Sequence, residues 1–332
     1  EIAGITLNFW YRFVHCLEQL LPQQFRQLRI DNYQPLLLRL IQICVTLLKY
    51  PEDVEELQED QLDDVHRDRR YVSDTIEDCC RLIGGNEVLT NLGERLQQEC
   101  QTFSATSKNY QGVEACIMAI LSISHFVPND EPSVLPFLFA QVFTNLPSDI
   151  TKLRYTNNLC IGKYASWLSQ HVEYLQPLLP YLAQGLYIPH TASASAVAVK
   201  QLCEKCKEQD LGESVLQLYE GLFAQQPALP TTHNRICCLE LKDEIELLEG
   251  VCKAISSQPP SSPATSNMVA RIVQPIGARL AMLMAQPPEN MTTSKRVMED
   301  LERLTVIVRF LHPSEKGTVN NNLVVELMKE SW

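Results

Sequence analysis

The sequence predicts an all-α fold in which pairs of helices stack into an α-α superhelix of the HEAT or armadillo type. Apolar residues recur three or four positions apart in most segments, which is the spacing of a helix that buries one face. Glycine is scarce, at 12 of 332 residues, and no segment alternates as a strand does. The first helices of successive pairs begin about forty residues apart, which is the period of these repeats.

The first three pairs are bounded by turn-forming residues. The loop inside the first pair is predicted to contain Pro22 and Asp31-Asn32. The second pair is interrupted at Gly84-Gly85, because glycine readily ends a helix. In the third pair Pro128 marks the turn, and Ser133 is expected to cap the helix that follows.

The later pairs are more regular. Their helices are predicted at about 153–168 and 175–186, 192–206 and 211–224, 239–255 and 266–284, and 292–311. The chain is therefore expected to form one array, residues 1–332, of about six and a half helix pairs. Neither end has the polar outer face of a capping repeat, which predicts an internal segment of a longer protein that lacks both caps.

Two connectors are longer or more polar than the rest. Residues 51–66 are predicted to form an acidic loop, and residues 257–265 a mobile loop rich in proline and serine. The acidic loop contains eight carboxylates, Glu52, Asp53, Glu55, Glu56, Glu59, Asp60, Asp63 and Asp64. These side chains either form an electrostatic contact for a basic partner, or are only a solvated, disordered linker. The sign of the charge then reverses at Arg67, Arg69 and Arg70.

Charge and hydropathy narrow the class of partner. The net charge of −12 argues against direct nucleic-acid binding, which needs clustered lysine and arginine, and favours basic proteins. No run of about eighteen apolar residues predicts membrane insertion, and no signal peptide is visible. Twelve cysteines, mostly within apolar helical stripes, are typical of buried thiols in a reducing compartment.

No pattern of catalytic or cofactor-binding residues is present, so we expect neither an enzyme nor a bound cofactor or metal. The seven histidines are scattered, and no phosphate-binding glycine loop occurs. Cys203 and Cys206 have the spacing of half a zinc site, but a second pair of ligands is missing, so core packing is the favoured interpretation. Asn157-Asn158 are expected on a helix surface, and Asn320-Asn321-Asn322 in a loop.

Several segments, in this order along nearly the whole chain, resemble the transportin-SR (transportin-three type) nuclear import receptors of the importin-β family. The resembling segments are Asn8–Arg12, Arg70–Asp74 with Leu82–Gly84, Leu153–Thr156, Leu175–Leu186, and Asp300–Phe310 followed by His312-Pro313. Each segment is short, and their collinearity is what makes the resemblance specific. The stretch from Pro227 to Cys238 departs from the pattern. Importin-thirteen-like receptors are the alternative within the same family.

The resemblance implies a receptor that carries cargo proteins, notably Arg/Ser-rich splicing factors, through the nuclear pore. Such receptors touch Phe-Gly nucleoporins, release cargo when Ran-GTP binds, and shuttle between cytoplasm and nucleus. It also implies that the Ran-binding repeats precede Glu1 and that an arginine-rich cargo helix follows Trp332. On this basis Glu52 to Asp64 are expected to contact Ran or a basic cargo segment. The alternative outside the family is a HEAT scaffold of a multi-subunit complex that does not use Ran.

Overall fold

The computed structural model describes residues 2–19, 23–103, 110–223, 239–259, 262–285 and 291–311. Within these ranges every regular element is helical, and the predicted all-α fold of paired helices is confirmed. The chain divides into two compact units, which are unit 1 (Glu1–Trp167) and unit 2 (Leu168–Trp332). The prediction of a single array over residues 1–332 stays a prediction.

Unit 1 is built from seven helices and the start of an eighth. In the described part of this unit they are α1 (Ile2–Gln19), α2 (Gln23–Leu47), α3 (Glu59–Ile83), α4 (Gly85–Thr102), α5 (Gln111–Ser122), α6 (Val134–Phe137), α7 (Thr151–Lys163) and α8 (Ala165–Leu168). Helix α5 lies at the centre, in contact with α2, α3, α4 and α7. Its apolar side chains are completely buried on several sides, as Cys116, Ile117 and Ile120 illustrate.

Helix α2 is longer than the sequence pattern indicated. The predicted loop at Asp31-Asn32 was wrong, because both residues lie within the helix, as does Pro35. The buried residues Ile30, Leu37 and Ile41 lie on both sides of these polar positions, so the apolar face continues through them. Packing of that face against α3 and α5 outweighs the local preference of aspartate, asparagine and proline for a turn.

The break between α3 and α4 occurs at Gly84, as predicted, and glycine is needed there twice. Gly84 has a φ of 103°, which is strained for any residue with a side chain. A Cβ atom on Gly85 would lie 2.1 Å from the carbonyl oxygen of Phe126. The two glycines therefore turn the chain and let α4 begin in direct contact with the backbone beyond α5.

The start of α6 is capped by a residue that the sequence analysis missed. Ser133 occupies the N-cap position but caps nothing with its side chain. Instead the Glu131 carboxylate accepts hydrogen bonds from the backbone N–H groups of Val134 (3.0 Å) and Leu135 (2.7 Å), and from the Ser133 hydroxyl (2.6 Å). The helix continues as a π-helical turn over Leu138–Val142.

Unit 2 contains six further helices in its described ranges. They are α9 (Leu175–Leu186), α10 (Ala192–Lys205), α11 (Gly212–Phe223), α12 (Leu241–Ser256), α13 (Pro263–Met284) and α14 (Met291–Phe310). Helix α12 contacts α10, α11, α13 and α14. Its approach to α10 is close, since a Cβ atom on Gly250 would lie 2.8 Å from the Cα atom of Lys200. Small residues on α10, such as Ala194, Ala196 and Ala198, permit this spacing.

The proline- and serine-rich connector is shorter than the predicted loop of residues 257–265. Helix α12 ends at Ser256 and α13 already begins at Pro263, so 263–265 are helical. The Ser262 hydroxyl accepts a hydrogen bond from the backbone N–H of Ala264 at 3.3 Å, which caps α13. Residues 260–261 lie outside the described residues, as do Asn320–Asn322.

Candidate partner-binding site

The eight carboxylates predicted as a partner-binding site are all exposed in the structure, but they do not form one loop. The loop predicted for residues 51–66 ends at Gln58, and α3 begins at Glu59, so the carboxylates from Glu59 to Asp64 lie on a helix. Those from Glu52 to Glu56 lie in a turn before it. We call residues 52–64 the acidic segment.

The start of α3 explains why half of the acidic segment is helical. Glu59 and Asp60 occupy its first turn, where carboxylates interact favourably with the positive end of the helix dipole. The Gln61 side chain accepts a hydrogen bond from the backbone N–H of Gln58 at 3.0 Å. Local capping chemistry thus outweighs the mutual repulsion that had suggested a disordered linker.

The turn that carries Glu52 to Glu56 is attached to unit 1. Val54 is only 4% exposed and anchors it by packing inward. Backbone hydrogen bonds join Val54 N–H to Pro51 (3.2 Å) and Glu56 N–H to Asp53 (2.8 Å). The Lys152 ammonium, at the start of α7, lies 2.7 Å from the Glu55 carboxylate. The backbone that carries these carboxylates is therefore held in place against unit 1.

A buried ion pair lies next to the acidic segment, and it involves one of the three arginines where the charge reverses. Arg69 is buried, and both oxygens of the Glu114 carboxylate accept hydrogen bonds from it, at 2.6 and 2.9 Å. The same guanidinium donates to the carbonyl oxygen of Leu48 and lies 3.8 Å from the centre of the Tyr50 ring. We call these groups, with Thr156, the unit 1 cluster.

The unit 1 cluster shifts the pKa values of its members through burial. Complete burial raises the pKa of Glu114, although Arg69 and the Thr156 hydroxyl, which donates at 2.6 Å, act in the opposite direction. Burial also raises the pKa of Tyr50 to about 12. The cluster is a packing element that joins α3, α5 and α7, and its charges are not accessible to a partner.

Helix α7 buries most of its polar residues, which corrects the expectation for Asn157-Asn158. Both asparagines are completely buried, and the Asn157 amide donates to the carbonyl oxygen of Phe143 at 2.9 Å. Arg154 and Thr156 are buried on the same helix. A helix with polar residues on every face looks like a surface helix in sequence, and only its neighbours show that those residues are paired inside the unit.

Unit 2 contains a larger buried network that sequence reasoning also missed. Arg303 donates to both oxygens of Glu244 (2.6 and 2.7 Å) and to Asp300 (2.8 Å). Asp300 accepts further hydrogen bonds from Arg279, one of them at 2.7 Å, and the Tyr219 hydroxyl lies 3.4 Å from Glu244. We call these five residues the unit 2 cluster. It joins α11, α12, α13 and α14.

Cys203 and Cys206 are both buried in the core of unit 2, which agrees with the packing interpretation. Burial raises the pKa of Cys203 to about 12 and that of Cys206 to about 11. Across the described ranges, no three or more histidine, cysteine or acidic side chains are placed to hold a metal ion. None of the helices in those ranges is long and apolar enough to span a bilayer.

Comparison with known proteins finds similar sequences and one similar structure. Residues 133–219 match the sequence model of a family described as the third TPR domain of transportin-3 and importin-13. All of the chain aligns with an uncharacterized protein of Schizosaccharomyces pombe, at 28% identity. Alignment with the mRNA transport regulator MTR10 of Saccharomyces cerevisiae covers 78% of the chain, at 24% identity. Over these ranges the chain is similar to karyopherin-β transport receptors.

The chain covers 34% of the Schizosaccharomyces pombe protein and 25% of MTR10, so it spans about a third or a quarter of these relatives. A solved structure of importin-13 in its cytosolic state superposes with a TM-score of 0.81 at 20% sequence identity. That superposition covers 100% of this chain and 37% of importin-13. At this identity the likeness establishes the fold.

Two of the segments that carry the family resemblance take part in the buried clusters. Thr156, in Leu153–Thr156, donates to Glu114, and Asp300 and Arg303 both lie in Asp300–Phe310. The buried residues of these segments therefore stabilise the helix packing. His312-Pro313 lies outside the described residues.

Proposed function

We propose that this chain is part of a nuclear import receptor and that its acidic segment contacts a basic surface of Ran-GTP or of a cargo protein. The receptor carries Arg/Ser-rich cargo proteins through the nuclear pore by touching Phe-Gly nucleoporins, and it releases them when Ran-GTP binds. It shuttles between cytoplasm and nucleus. The observation that carries this proposal is the collinear similarity to MTR10 over most of the chain.

The arrangement of charges supports the acidic segment as the contact. Glu55 pairs with Lys152, and Asp64 pairs with Arg67 at 2.8 Å. The other carboxylates make no ion pair with any residue that the structure describes; they are Glu52, Asp53, Glu56, Glu59, Asp60 and Asp63. Exposed like charges without partners attract an oppositely charged protein over several ångströms, which accelerates encounter and makes the affinity dependent on salt.

The experiment reverses four of these charges and leaves the first turn of α3 intact. The variant carries Glu52→Lys, Asp53→Lys, Glu56→Lys and Asp63→Lys. A matched control reverses four exposed, unpaired carboxylates elsewhere, namely Asp130, Asp149, Glu173 and Glu208. Both sets of substitutions are made in the full-length receptor that contains this chain. Binding of Ran loaded with a non-hydrolysable GTP analogue, and of a synthetic Arg/Ser-rich peptide, is measured at low and high salt.

We expect the variant to bind at least one of the two probes on the order of tenfold more weakly at low salt, with a smaller difference at high salt. The control should bind as the unaltered chain does. Equal affinities for variant and unaltered chain at low salt would contradict the proposed contact. For a probe peptide that binds, addition of Ran-GTP should release it, and retention would contradict Ran-dependent release.

A further inference from the structure

A groove in unit 1 lies along α3, on the part of the helix that comes after the acidic segment in the chain. Its volume is about 530 Å³, and its walls are α3, α5, the turn after α5 and the end of α7. A second cavity of about 420 Å³ shares Ser124, His125 and Lys163 with it. The two cavities therefore adjoin at these three residues.

Two cations line this groove without any acidic partner of their own. Arg70, on α3, and Lys163, at the end of α7, are both exposed, and neither forms an ion pair within the described part of the chain. The neighbouring Arg67 differs because it pairs with Asp64 at 2.8 Å. Arg70 and Lys163 are therefore free to bind an anion that enters from solvent.

A buried hydroxyl adds a second, independent indication of a ligand. Ser73 lines the same groove and is only 7% exposed, yet its hydroxyl has no hydrogen-bond partner in the structure. Buried polar groups are nearly always hydrogen-bonded, because leaving one unpaired destabilises the fold. A ligand with an acceptor atom would supply the missing partner.

The other groups in the groove restrict the charge and size of that anion. Asp74 and Glu77 also line it and balance the charges of Arg70 and Lys163, so no excess of positive charge favours a dianion such as phosphate over a single carboxylate. Tyr71, which is 55% exposed, contributes apolar surface together with Met118 and Leu121. This surface favours a hydrocarbon side chain beside the carboxylate.

We propose that this groove binds an extended peptide segment of a partner protein, one that presents an aspartate or glutamate beside a large apolar residue. The carboxylate pairs with Arg70 and Lys163, and an acceptor atom of the peptide accepts a hydrogen bond from the Ser73 hydroxyl. The apolar side chain packs on Tyr71, Met118 and Leu121. The proposal stands apart from the transport role, because it concerns a different surface with the opposite charge preference.

The test uses the whole chain and a fluorescent peptide, Gly-Ser-Asp-Leu-Asp-Leu-Ser-Gly, whose binding is followed by anisotropy. A second peptide replaces each aspartate with asparagine. The variant Arg70→Glu/Lys163→Glu is compared with the control Lys207→Glu/Lys295→Glu, in which two other exposed, unpaired cations are reversed. Ser73→Ala removes the hydroxyl with little change of volume. Inorganic phosphate is added as a competitor.

We expect the aspartate peptide to bind at least about tenfold more tightly than the asparagine peptide, because two charge-assisted hydrogen bonds are lost in the latter. Arg70→Glu/Lys163→Glu should weaken binding at least about tenfold, and Ser73→Ala about two- to fivefold. Circular dichroism verifies that each variant is folded.

Three outcomes would overturn the proposal. The first is equal affinity for the two peptides. The second is an equal loss of affinity in Lys207→Glu/Lys295→Glu, which would show attraction to any cation on the surface. The third is complete displacement of the peptide by phosphate at concentrations near the peptide's own dissociation constant, which would show a general anion site with no preference for a peptide.

Discussion

The two units stabilise their helix packing with buried arginine–glutamate pairs, but they surround those pairs differently. In the unit 1 cluster, one arginine and one glutamate are completed by neutral groups, namely the Leu48 carbonyl, the Thr156 hydroxyl and the Tyr50 ring. In the unit 2 cluster, Asp300 receives hydrogen bonds from two arginines.

The difference concerns what remains when one partner is lost. Among the residues that the structure describes, Arg69 is the one cationic partner of Glu114, so no second cation remains when Arg69 is removed. Asp300 keeps one arginine when the other is removed. Loss of one arginine from a shared network should therefore lower the free energy of unfolding less than loss of the arginine from an isolated buried pair.

Arg69→Ala is expected to lower the free energy of unfolding of unit 1 by about 3–5 kcal/mol, because it leaves the Glu114 carboxylate buried without a cation. Trp167 is a suitable probe, since its ring is buried and stacks on Phe139 at 5.2 Å. Urea unfolding followed by tryptophan fluorescence gives the change. Arg67→Ala, at an exposed neighbour on the same helix, is the control and should change the value by less than about 0.5 kcal/mol.

Arg279→Ala should destabilise unit 2 by only about 1–2 kcal/mol, because Asp300 keeps its hydrogen bond to Arg303 and Arg279 is about one third exposed. Arg303→Ala should be at least twice as destabilising, since Glu244 then loses the bidentate pair that it forms with Arg303. Hydrogen exchange in peptides from α12 and α14 measures both variants. Equal effects from the two substitutions would contradict the idea that the network shares its charge.

Glu131 is a buried carboxylate that forms no ion pair with the residues in the described ranges. Burial raises its pKa, but hydrogen bonds from Ser133, Val134 and Leu135 outweigh burial, so the folded-state pKa lies below the ordinary value. The unfolded chain therefore binds the proton more tightly, and Glu131 stabilises the fold above its unfolded pKa. This contribution, about 1 kcal/mol for a helix cap, is lost as the pH falls through the folded-state pKa.

The measurement is the difference in unfolding free energy between the unaltered chain and Glu131→Gln, from about pH 7 down to the lowest pH at which both are folded. We expect the difference to shrink as the pH falls. A difference that grows towards low pH would show that burial dominates and that the pKa of Glu131 is raised.

Glu55→Gln should have the smallest effect, within about 0.5 kcal/mol, because the Glu55 side chain is 72% exposed and solvent screens its pair with Lys152. Thermal unfolding at low and high salt measures it. A larger loss that disappears at high salt would mean that this ion pair, in addition to Val54, holds the turn of the acidic segment in place.

Sequence periodicity was sufficient for the helices of unit 2, because α10 to α14 each have a clear apolar stripe and distinct ends. It was insufficient wherever polar residues are satisfied by other elements. Asn157 and Asn158 are buried because α7 is surrounded by neighbours, and Asp31 is helical because the apolar face of α2 continues past it. Such partners come from distant parts of the chain, and a local pattern does not contain them.

A signal for the unit 1 cluster was nevertheless present. Glu114 is the only charged residue in the apolar run from Gly112 to Ile123, and a lone charge in a fully buried helix must have a partner of opposite sign. The reversal of charge at Arg67, Arg69 and Arg70 offered three candidates. Sequence alone does not select Arg69, because the choice depends on which face of α3 meets α5.

The helical half of the acidic segment has a consequence for any molecule that binds it. A helix rises about 1.5 Å per residue, so the carboxylates from Glu59 to Asp64 lie at fixed heights over about 8 Å. A bound molecule must therefore place its positive charges at the same spacing as these carboxylates. Most of the loss of conformational freedom on binding would then fall on the partner, so a flexible basic tail would bind less tightly than a rigid surface of the same charge.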